Sequence, residues 1–565
     1  MKQQRILIVG GVAGGASCAA RARRLSETAK IIMFDRGEYV SFANCGLPYY
    51  VGNVIKKEKN LLMATPELFR KRFEIEVRLQ SEVLAIDRDN RRIKVHDLRS
   101  GEMYHEAYDA LVLSPGANPV RPPMPGIDLP GIFSLRTIPD SRQIKAWIKR
   151  YNAGHVVVVG GGYIGMEMTE NLLNLGLAVT IIEMQAQVMP LLDPEMAAPV
   201  QDELVKHGVA LHLNESVVGF ENKGDHRLSV KLKSGLITEA DLVILAIGVR
   251  PEIRLAQAAA LEIGQRGGIR VDEHMQTSDD NIWAVGDAVE VRDAITGQWG
   301  VIPLAGPANR QGRIAADVIL GREAVFRGVQ GTSVVGILGL VAAFTGPGEN
   351  TLKRMGLWDG SPSFEKIYLH PGHHAAYYPG STQMSLKLIF DRKNGRIISA
   401  QAVGKEGVEK RIDVISMAIQ HDGTVFDLEE AELCYAPQFG SAKDPVNLAG
   451  MIAANVVRGD ANIAHWEELE KERVFLLDVR DPSEFKAGHV EGAVNIPLND
   501  LRQRMEEVPK DREVWTYCFV GQRSYYAARA LSQYGYDIKS LSGGYKTYTL
   551  QDTPGATSRA PKLIK

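Results

Sequence analysis

The sequence has few cysteines, little net charge and no apolar run long enough to span a membrane. Its 565 residues include only four cysteines, Cys18, Cys45, Cys434 and Cys518, and they are widely spaced. Such spacing does not make the disulfide framework of a secreted protein. A net charge of -2 gives no electrostatic attraction to nucleic acid or anionic membranes. The most apolar later run, Val334–Phe344, is too short and too glycine-rich to cross a bilayer. We therefore expect a cytoplasmic protein that neither binds nucleic acid nor inserts into membranes.

Cys45 stands alone in the segment Ser41–Tyr50, with no second cysteine nearby. An internal redox disulfide between neighbouring cysteines is therefore excluded, and any sulfur partner of Cys45 would come from another molecule. A lone cysteine is more often a small buried hydrophobe. The motifs on both sides of this segment favour a redox role instead.

Residues 1 to 35 have the pattern of a dinucleotide-binding unit. Arg5–Val9 is apolar and β-branched, as in a buried parallel strand, and a glycine-rich turn and a helix follow. The turn lets backbone N–H groups approach a pyrophosphate at the helix N-terminus. Asp35 ends the second strand, where a carboxylate can accept a ribose hydroxyl. Val12 replaces the middle glycine of the fingerprint. The cofactor residues predicted here are Gly10, Gly14, Gly15, Asp35 and Arg36.

The same pattern recurs later in the chain, now with the complete G-x-G-x-x-G fingerprint. The strand His155–Val159 precedes it, and Glu183 ends the strand that follows its helix. A carboxylate at that position accepts a free 2′-hydroxyl and repels a 2′-phosphate, which favours NADH over NADPH. The predicted residues of this site are Gly160, Gly162, Tyr163, Ile164, Gly165 and Glu183.

Two nucleotide units in one chain, with a cysteine just after the first, indicate a flavin site facing a nicotinamide site. Further strand-to-glycine turns allow the backbone to pass close to a cofactor. A Gly-Asp pair that closes an apolar strand suits the ribitol hydroxyls of a flavin, so the NADH unit would be inserted within the flavin domain. These additional cofactor residues are Ser114, Gly116, Gly248, Gly286 and Asp287.

Together these motifs resemble the FAD/NAD-linked disulfide reductases. The segments that carry the resemblance are Gly10–Gly15, Ser41–Tyr50, Gly160–Glu183 and Ile282–Ala288. Around Cys45 the chain is similar to the single-cysteine branch, which includes coenzyme A disulfide reductases, NADH peroxidases and NADH oxidases. The peroxidases of this branch have a histidine in the first glycine turn, where this chain has Ala13, which argues against peroxide as the main substrate. The resemblance implies that electrons pass from NADH through FAD to Cys45, held as a mixed disulfide with coenzyme A.

The coenzyme A branch also implies substrate-binding residues. Ser17, Arg21 and Arg24 share one helical face, where guanidinium groups can bind phosphates, and a solvated basic face is the alternative. Matching positions imply further coenzyme A contacts at Ser41, Asn44, Arg72, Asn309 and Lys443.

The third domain of these reductases dimerises, and its tyrosines reach the cysteine of the other subunit. The resemblance therefore implies a homodimer in which Tyr377 and Tyr435 approach Cys45. A phenol there could hydrogen-bond or protonate a leaving thiolate.

The residues after the polar segment Arg458–His465 have the pattern of a compact α/β unit. Cys518 ends an apolar strand, and the loop Cys518–Ser524 opens a helix, so successive N–H groups surround the sulfur and Arg523 closes the ring. The Asp-Val-Arg, Gly-His and Cys-x-x-Gly-x-Arg-Ser motifs resemble a single-domain rhodanese. This resemblance implies that Cys518 accepts sulfane sulfur; an inactive rhodanese-like binding module is the alternative.

We predict an α/β protein with two Rossmann-like domains for FAD and NAD, an α+β dimerisation domain and a C-terminal α/β rhodanese domain. The predicted boundaries are 1–150 and 276–325 for the FAD domain, 151–275 for the NAD domain, 326–450 for dimerisation, 451–465 for a linker and 466–565 for the rhodanese. No metal site is predicted.

The whole sequence resembles fusions of coenzyme A disulfide reductase with rhodanese, including the NADH-dependent persulfide reductases. This resemblance implies reduction of coenzyme A disulfide, coenzyme A persulfide or polysulfide. Two alternatives remain open. One is an NADH oxidase or peroxidase that cycles Cys45 through a sulfenic acid. The other is a flavin-bearing redox sensor whose rhodanese unit binds partners.

Overall fold

The computed structural model describes residues 3–358, 364–471, 474–551 and 563–564. The predicted domains also include residues 1–2, 359–363, 472–473, 552–562 and 565, which lie outside the described residues. Contacts divide the chain into two compact units. The first contains residues 1–160, 168–179 and 217–331, and the second contains residues 161–167, 180–216 and 332–565.

The first unit contains a five-stranded parallel sheet that carries the first glycine-rich turn. In order across the sheet its strands are Ile282–Ala284, Ala110–Leu113, Arg5–Val9, Lys30–Asp35 and Glu76–Leu79. The inner residues of the three central strands are almost completely buried, which explains their continuous apolar runs in the sequence. Ile282–Ala284 comes from the segment after the second nucleotide motif, so the chain returns to this sheet.

The first unit also contains further strands and helices. Its remaining strands are Ser81–Asp87, Arg92–Asp97, Met103–Ala107, Ala117–Pro119, Ile132–Phe133, His155–Val159, Val217–Gly224, Arg227–Leu232, Ile237–Ala240, Leu242–Leu245, Val249–Pro251, Ile269–Arg270, Val289–Arg292 and Trp299–Gly300. Its helices are Ala13–Leu25, Leu47–Val51, Pro66–Phe73, Ile138–Tyr151, Arg254–Ala258 and Ala305–Ile319, with 3₁₀ turns at Asn44–Gly46 and Glu58–Leu61. The helix Tyr163–Asn174 and the strand Ala178–Ile182 contain residues of both units.

The second unit contains one antiparallel and one parallel five-stranded sheet. The antiparallel order is Ser333–Ile337, Leu340–Thr345, Ile397–Gly404, Met384–Asp391 and Phe364–Leu369. The parallel order is Ile463–Ala464, Ile538–Leu541, Val514–Tyr517, Phe475–Asp478 and Val494–Asn495. The apolar run that is too short to span a membrane forms the first hairpin of the antiparallel sheet, which turns at Leu338 and Gly339.

Helices and short strands complete the second unit. Its helices are Pro194–Lys206, Glu349–Arg354, Val408–Gln420, Val425–Glu429, Pro445–Val457, Pro482–Ala487, Gln522–Gln533 and Gly544–Gln551, with 3₁₀ turns at Trp466–Lys471 and Met505–Glu507. The short strands are Ala210–His212, His489–Val490 and Leu563–Ile564. No helix in the described part of the chain is long and apolar enough to cross a membrane.

Four charged side chains form a buried group in the second unit, which we name the Lys387 cluster. The ammonium of fully buried Lys387 lies 2.8 Å from the Asp193 carboxylate, 2.6 Å from that of Glu195 and 2.7 Å from that of Glu349. Burial alone would raise the pKa of Glu349, but the ammonium groups of Lys387 and Lys366 hold it well below its usual value. Each of the three carboxylates is therefore in direct contact with the Lys387 ammonium.

Candidate functional site

A cavity of about 510 Å³ lies beside the first glycine-rich turn, in the first unit. Small-molecule sites occupy roughly 300–1,000 Å³, so this volume is of the right order. Five of the predicted cofactor residues line this cavity: Gly10, Asp35, Arg36, Ser114 and Gly116. The structure therefore brings together residues that are far apart in the sequence.

The turn requires glycine at Gly10, where φ is +95° and an added Cβ would lie 2.0 Å from the carbonyl oxygen of Ser114. The following helix, Ala13–Leu25, contains the predicted residues Gly14 and Gly15, both buried. The Gly15 N–H donates to Ser114 Oγ at 3.1 Å. This packing joins the turn to the neighbouring strand and leaves backbone groups at the cavity wall.

Asp35 is held at the end of its strand by two backbone donors. Its Oδ2 accepts the N–H of Gly11 at 3.0 Å, and its Oδ1 accepts that of Gly37 at 2.8 Å. Burial raises the pKa of Asp35. Because a carboxylate can accept about four hydrogen bonds, capacity for ribose hydroxyls remains.

Arg136 is a cavity residue that sequence reasoning missed. Its Nη2 donates to Asp287 Oδ2 at 3.2 Å, and an added Cβ on Gly116 would lie 2.8 Å from the same nitrogen. Gly286 precedes Asp287, and its N–H donates to Gln311 Oε1 at 2.7 Å. A single arginine before a helix carries no sequence signal for this role. The crowded glycine turn, the carboxylate at the strand end and the cavity together fit a bound FAD.

The second glycine turn has a comparable arrangement. In the first unit, Gly160 has a φ of +106°, and an added Cβ would lie 2.4 Å from the carbonyl oxygen of Ala246. In the second unit, Glu183 Oε2 accepts the N–H of Gly161 at 2.7 Å, as Asp35 does for Gly11. An added Cβ on Gly162 would meet no atom within 4 Å, so the turn is open on that side. This geometry fits a dinucleotide pyrophosphate.

Three other predicted residues of the NADH site, Tyr163, Ile164 and Gly165, lie in the second unit at the start of their helix. Gly248, one of the additional predicted cofactor residues, lies in the first unit. The ring of Tyr163 stacks on that of Phe344 with 6.4 Å between centroids, and burial raises the pKa of Tyr163 to about 12.

Cys45 is exposed within the 3₁₀ turn Asn44–Gly46, directly before the helix Leu47–Val51. The backbone N–H of Ser41, whose φ is +49°, donates to the Gly11 carbonyl at 2.7 Å and so joins this segment to the glycine turn. Cys18, by contrast, is buried, which raises the pKa of its thiol to about 12.

Lys145 is a second residue that sequence reasoning missed. Its ammonium donates to the carbonyl of Tyr50 at 2.7 Å, although the two residues are 95 positions apart. Tyr50 lies near the C-terminal end of the helix that follows Cys45, where a cation is favourable. Lys145 therefore anchors the helix that directly follows the turn of Cys45.

The predicted coenzyme A residues are only partly brought together. Ser17 Oγ donates to Asn309 Oδ1, so these two meet. Arg21 pairs with the Asp317 carboxylate at 2.6 Å, whereas Arg24 is exposed. Of the others in the first unit, Ser41 and Asn44 are half-buried and belong to the segment of Cys45, and Arg72 is exposed.

Tyr377 and Tyr435 meet in the second unit, where their hydroxyl oxygens are 2.8 Å apart. This hydrogen bond raises the pKa of Tyr377. The exposed fractions of the two residues are 75% and 49%, so both phenols are accessible from outside this chain. Lys443, in the same unit, is exposed.

Cys518 lies in the predicted loop of the C-terminal sheet. It follows the strand Val514–Tyr517, is buried, and its Sγ accepts the N–H of Gly521 at 3.2 Å. Arg523 makes two hydrogen bonds to the Glu484 carboxylate, at 2.6 and 2.8 Å, and they raise the pKa of Arg523. The chain passes here from a strand to the helix Gln522–Gln533, which begins within the predicted loop, and a backbone donor faces the sulfur.

Comparisons with known protein families match nearly the whole described chain. Residues 4–312 match the pyridine nucleotide-disulphide oxidoreductase model, residues 334–444 the dimerisation domain of that family, and residues 464–551 the rhodanese-like domain. A coenzyme A disulfide reductase of Staphylococcus haemolyticus is 35% identical over 454 residues, which are 80% of this chain and 100% of the relative.

Two solved structures resemble almost the full length. Reduced CoADR-RHD from Bacillus anthracis has a TM-score of 0.95 and 46% identity, covering 98% of this chain and 99% of that one. A NAD-dependent persulfide reductase from A. fulgidus has a TM-score of 0.89 and 35% identity, covering 96% and 100%.

These comparisons confirm the predicted fold class, the oxidoreductase class and the use of FAD and NADH. The domain boundaries and the roles of single residues stay predictions. The chain belongs to the pyridine nucleotide-disulphide oxidoreductase family, and its C-terminal part is a rhodanese-like domain.

Proposed function

We propose that this protein uses NADH to reduce coenzyme A disulfide, coenzyme A persulfide or polysulfide at Cys45, and that Cys518 handles sulfane sulfur. The observation that carries the proposal is the exposed Cys45, whose segment is hydrogen-bonded through Ser41 to the glycine turn of the FAD cavity. Similarity to a coenzyme A disulfide reductase and to a persulfide reductase supports it. We further propose a cytoplasmic homodimer that associates through residues 326–450.

The chain's own residues would hold both nucleotides. The turn at Gly10 and the Asp35 carboxylate would hold FAD, and the turn at Gly162 with Glu183 would hold NADH. FAD, when bound, supplies two-electron transfer between a nicotinamide and a cysteine sulfur.

Cys45 is the nucleophile in this proposal. Its thiolate attacks one sulfur of the acceptor disulfide, a new S–S bond forms at Cys45, and the other half leaves as a thiolate. Two electrons from NADH then reduce the S–S bond at Cys45, which releases the second half of the acceptor as a thiol and restores the Cys45 thiolate. Each turnover thus consumes one NADH and one proton and converts one disulfide into two thiols. Tyr377 and Tyr435 of the partner subunit would hydrogen-bond the leaving thiolate.

Cys518 would exchange sulfur without net redox change. Its thiolate attacks the outer sulfur of a persulfide, so that Cys518 becomes a persulfide and the donor leaves as a thiol. The N–H of Gly521 stabilises negative charge on this sulfur.

Cys518→Ser should slow NADH oxidation only with acceptors that contain sulfane sulfur. Serine cannot carry a persulfide, so NADH turnover with polysulfide or persulfide should fall about tenfold or more, whereas turnover with coenzyme A disulfide should stay within about twofold. Anaerobic steady-state NADH oxidation with each acceptor measures this. Equal loss with all acceptors, or loss with none, contradicts the role of Cys518.

Glu183→Gln should weaken the preference for NADH. The amide keeps an acceptor for the Gly161 N–H but removes the charge that repels a 2′-phosphate, so the NADH to NADPH ratio of kcat/KM should fall about tenfold. Glu203→Gln, which neutralises a glutamate in the helix Pro194–Lys206, should leave the ratio unchanged. An unaltered ratio in Glu183→Gln would refute the assignment.

The same assay separates the proposal from an NADH oxidase or peroxidase. Under anaerobic conditions the proposed enzyme oxidises NADH with disulfide or polysulfide and gives no turnover with added peroxide. Turnover with peroxide or oxygen alone would favour the sulfenic acid cycle.

A further inference from the structure

Two hydrogen bonds connect the predicted dimerisation segment, residues 326–450, to the predicted rhodanese segment, residues 466–565, which contains Cys518. The backbone N–H of Tyr368 donates to Ser542 Oγ at 3.0 Å. The Nε2 of His370 and the Oγ1 of Thr547 are 2.9 Å apart. Tyr368 is the penultimate residue of the antiparallel strand Phe364–Leu369, and Thr547 lies in the helix Gly544–Gln551. All four residues belong to the second unit.

His370 is built into this contact as a neutral ring. It is 4% exposed, and burial lowers its pKa to about 3. Its Nδ1 lies 2.9 Å from Ser385 Oγ, and its other nitrogen meets Thr547. A neutral imidazole offers one donor and one acceptor, and the two hydroxyls can satisfy both. The orientation of the ring is therefore determined from both sides.

The helix that carries Thr547 supports the loop of Cys518 directly. Its Tyr545 N–H donates to the Cys518 carbonyl at 2.8 Å, and its Lys546 N–H donates to the Phe519 carbonyl at 2.9 Å. At Gly544 an added Cβ would lie 2.4 Å from the Cys518 carbonyl oxygen and 2.8 Å from the Gly521 nitrogen. That nitrogen is the donor to the Cys518 sulfur.

We propose that His370 acts through Thr547 as a positioning residue for Cys518. The side chain of His370 holds the first turn of the helix Gly544–Gln551 against the sulfur loop and so keeps the Gly521 N–H directed at Sγ. This inference rests on the proposed sulfur chemistry of Cys518. Its consequence is that the reactivity of the rhodanese cysteine depends on a residue of the dimerisation segment.

The test is the alkylation of Cys518 by iodoacetamide in the full-length protein, followed by peptide mass spectrometry between pH 6 and pH 9. Thr547→Val removes the hydrogen bond between the helix and His370, so alkylation at neutral pH should be about fivefold slower and the pH profile should move to higher pH. Thr547→Ser keeps the hydroxyl and should restore the wild-type rate within about twofold.

Thr516→Val is the matched control. Like Thr547, Thr516 is fully buried; it lies in the strand Val514–Tyr517, and its hydroxyl has no hydrogen-bond partner within the described residues. In the Thr516→Val protein, Cys518 should be alkylated at the wild-type rate. If only Thr547→Val is slow, the cause is the lost hydrogen bond to His370 and not the general effect of replacing a buried threonine by valine. If Thr547→Val does not fold, Ser385→Ala, which frees one side of the His370 ring, should slow alkylation at least about twofold.

An unchanged rate and pH profile in the folded Thr547→Val protein, or an unchanged rate in Ser385→Ala where that variant is needed, overturns the proposal. A slow Thr547→Ser protein also overturns it, because the hydroxyl is then not what matters. Alkylation needs no turnover, so failure here is distinct from failure of the proposed function, which Cys518→Ser reports through NADH oxidation.

Discussion

Cys45→Ser should abolish NADH oxidation with every disulfide, persulfide and polysulfide acceptor, by about 10⁴-fold or more. A serine hydroxyl stays protonated at neutral pH and cannot hold a mixed disulfide, so both the attack and the electron-accepting bond are lost. The exposed position of Cys45 makes it accessible to an acceptor. Anaerobic steady-state NADH oxidation measures the effect.

Two controls show whether the loss of turnover is due to the thiol of Cys45. Cys434→Ser changes the other exposed cysteine and should keep turnover within about twofold. The Cys45→Ser protein should still bind FAD, and one equivalent of NADH should still bleach the flavin absorbance. Turnover above about one hundredth of wild type with any of these acceptors would show that electrons leave through another group.

Lys387→Met should lower the free energy of unfolding by about 3–5 kcal/mol. The substitution leaves the carboxylates of Asp193, Glu195 and Glu349 without the ammonium that now lies within 2.8 Å of each. Uncompensated charges in a buried site are costly, and methionine fills the space without replacing the contacts. Urea and thermal unfolding of the holoenzyme measure the loss.

Lys206→Met is the matched control, because the side chain of Lys206 is 68% exposed and its substitution should change stability by less than about 0.5 kcal/mol. Adding Glu349→Gln to Lys387→Met should recover part of the loss, since one buried negative charge disappears. Equal stability of Lys387→Met and Lys206→Met would contradict the account of the cluster.

Local patterns were sufficient for several of the features described above. The carboxylates of Asp35 and Glu183 accept backbone N–H groups 24 and 22 positions away, and the Gly521 N–H lies three positions from Cys518. Strand-to-glycine turns such as the one at Gly10 require a positive φ that few residues other than glycine adopt. Such positions can therefore be recognised from the amino-acid sequence.

Other features depend on distant pairings that periodicity does not encode. Arg136 meets Asp287 across 151 positions, and Lys145 meets Tyr50 across 95. Arg21, predicted on a phosphate-binding face, lies against Asp317, 296 residues later. An isolated charged residue has no local signal that distinguishes an ion pair from a solvated surface group.

The amino-acid sequence alone determined the cofactor fingerprints, the two cysteines of interest and the order of domain types along the chain, because each is a short pattern with its own chemistry. Only the tertiary structure decided which charges are buried together around Lys387 and that His370 meets Thr547 beside the sulfur loop. Packing makes these contacts between residues 38 to 194 positions apart, where the interaction depends on distance in space and not on sequence spacing.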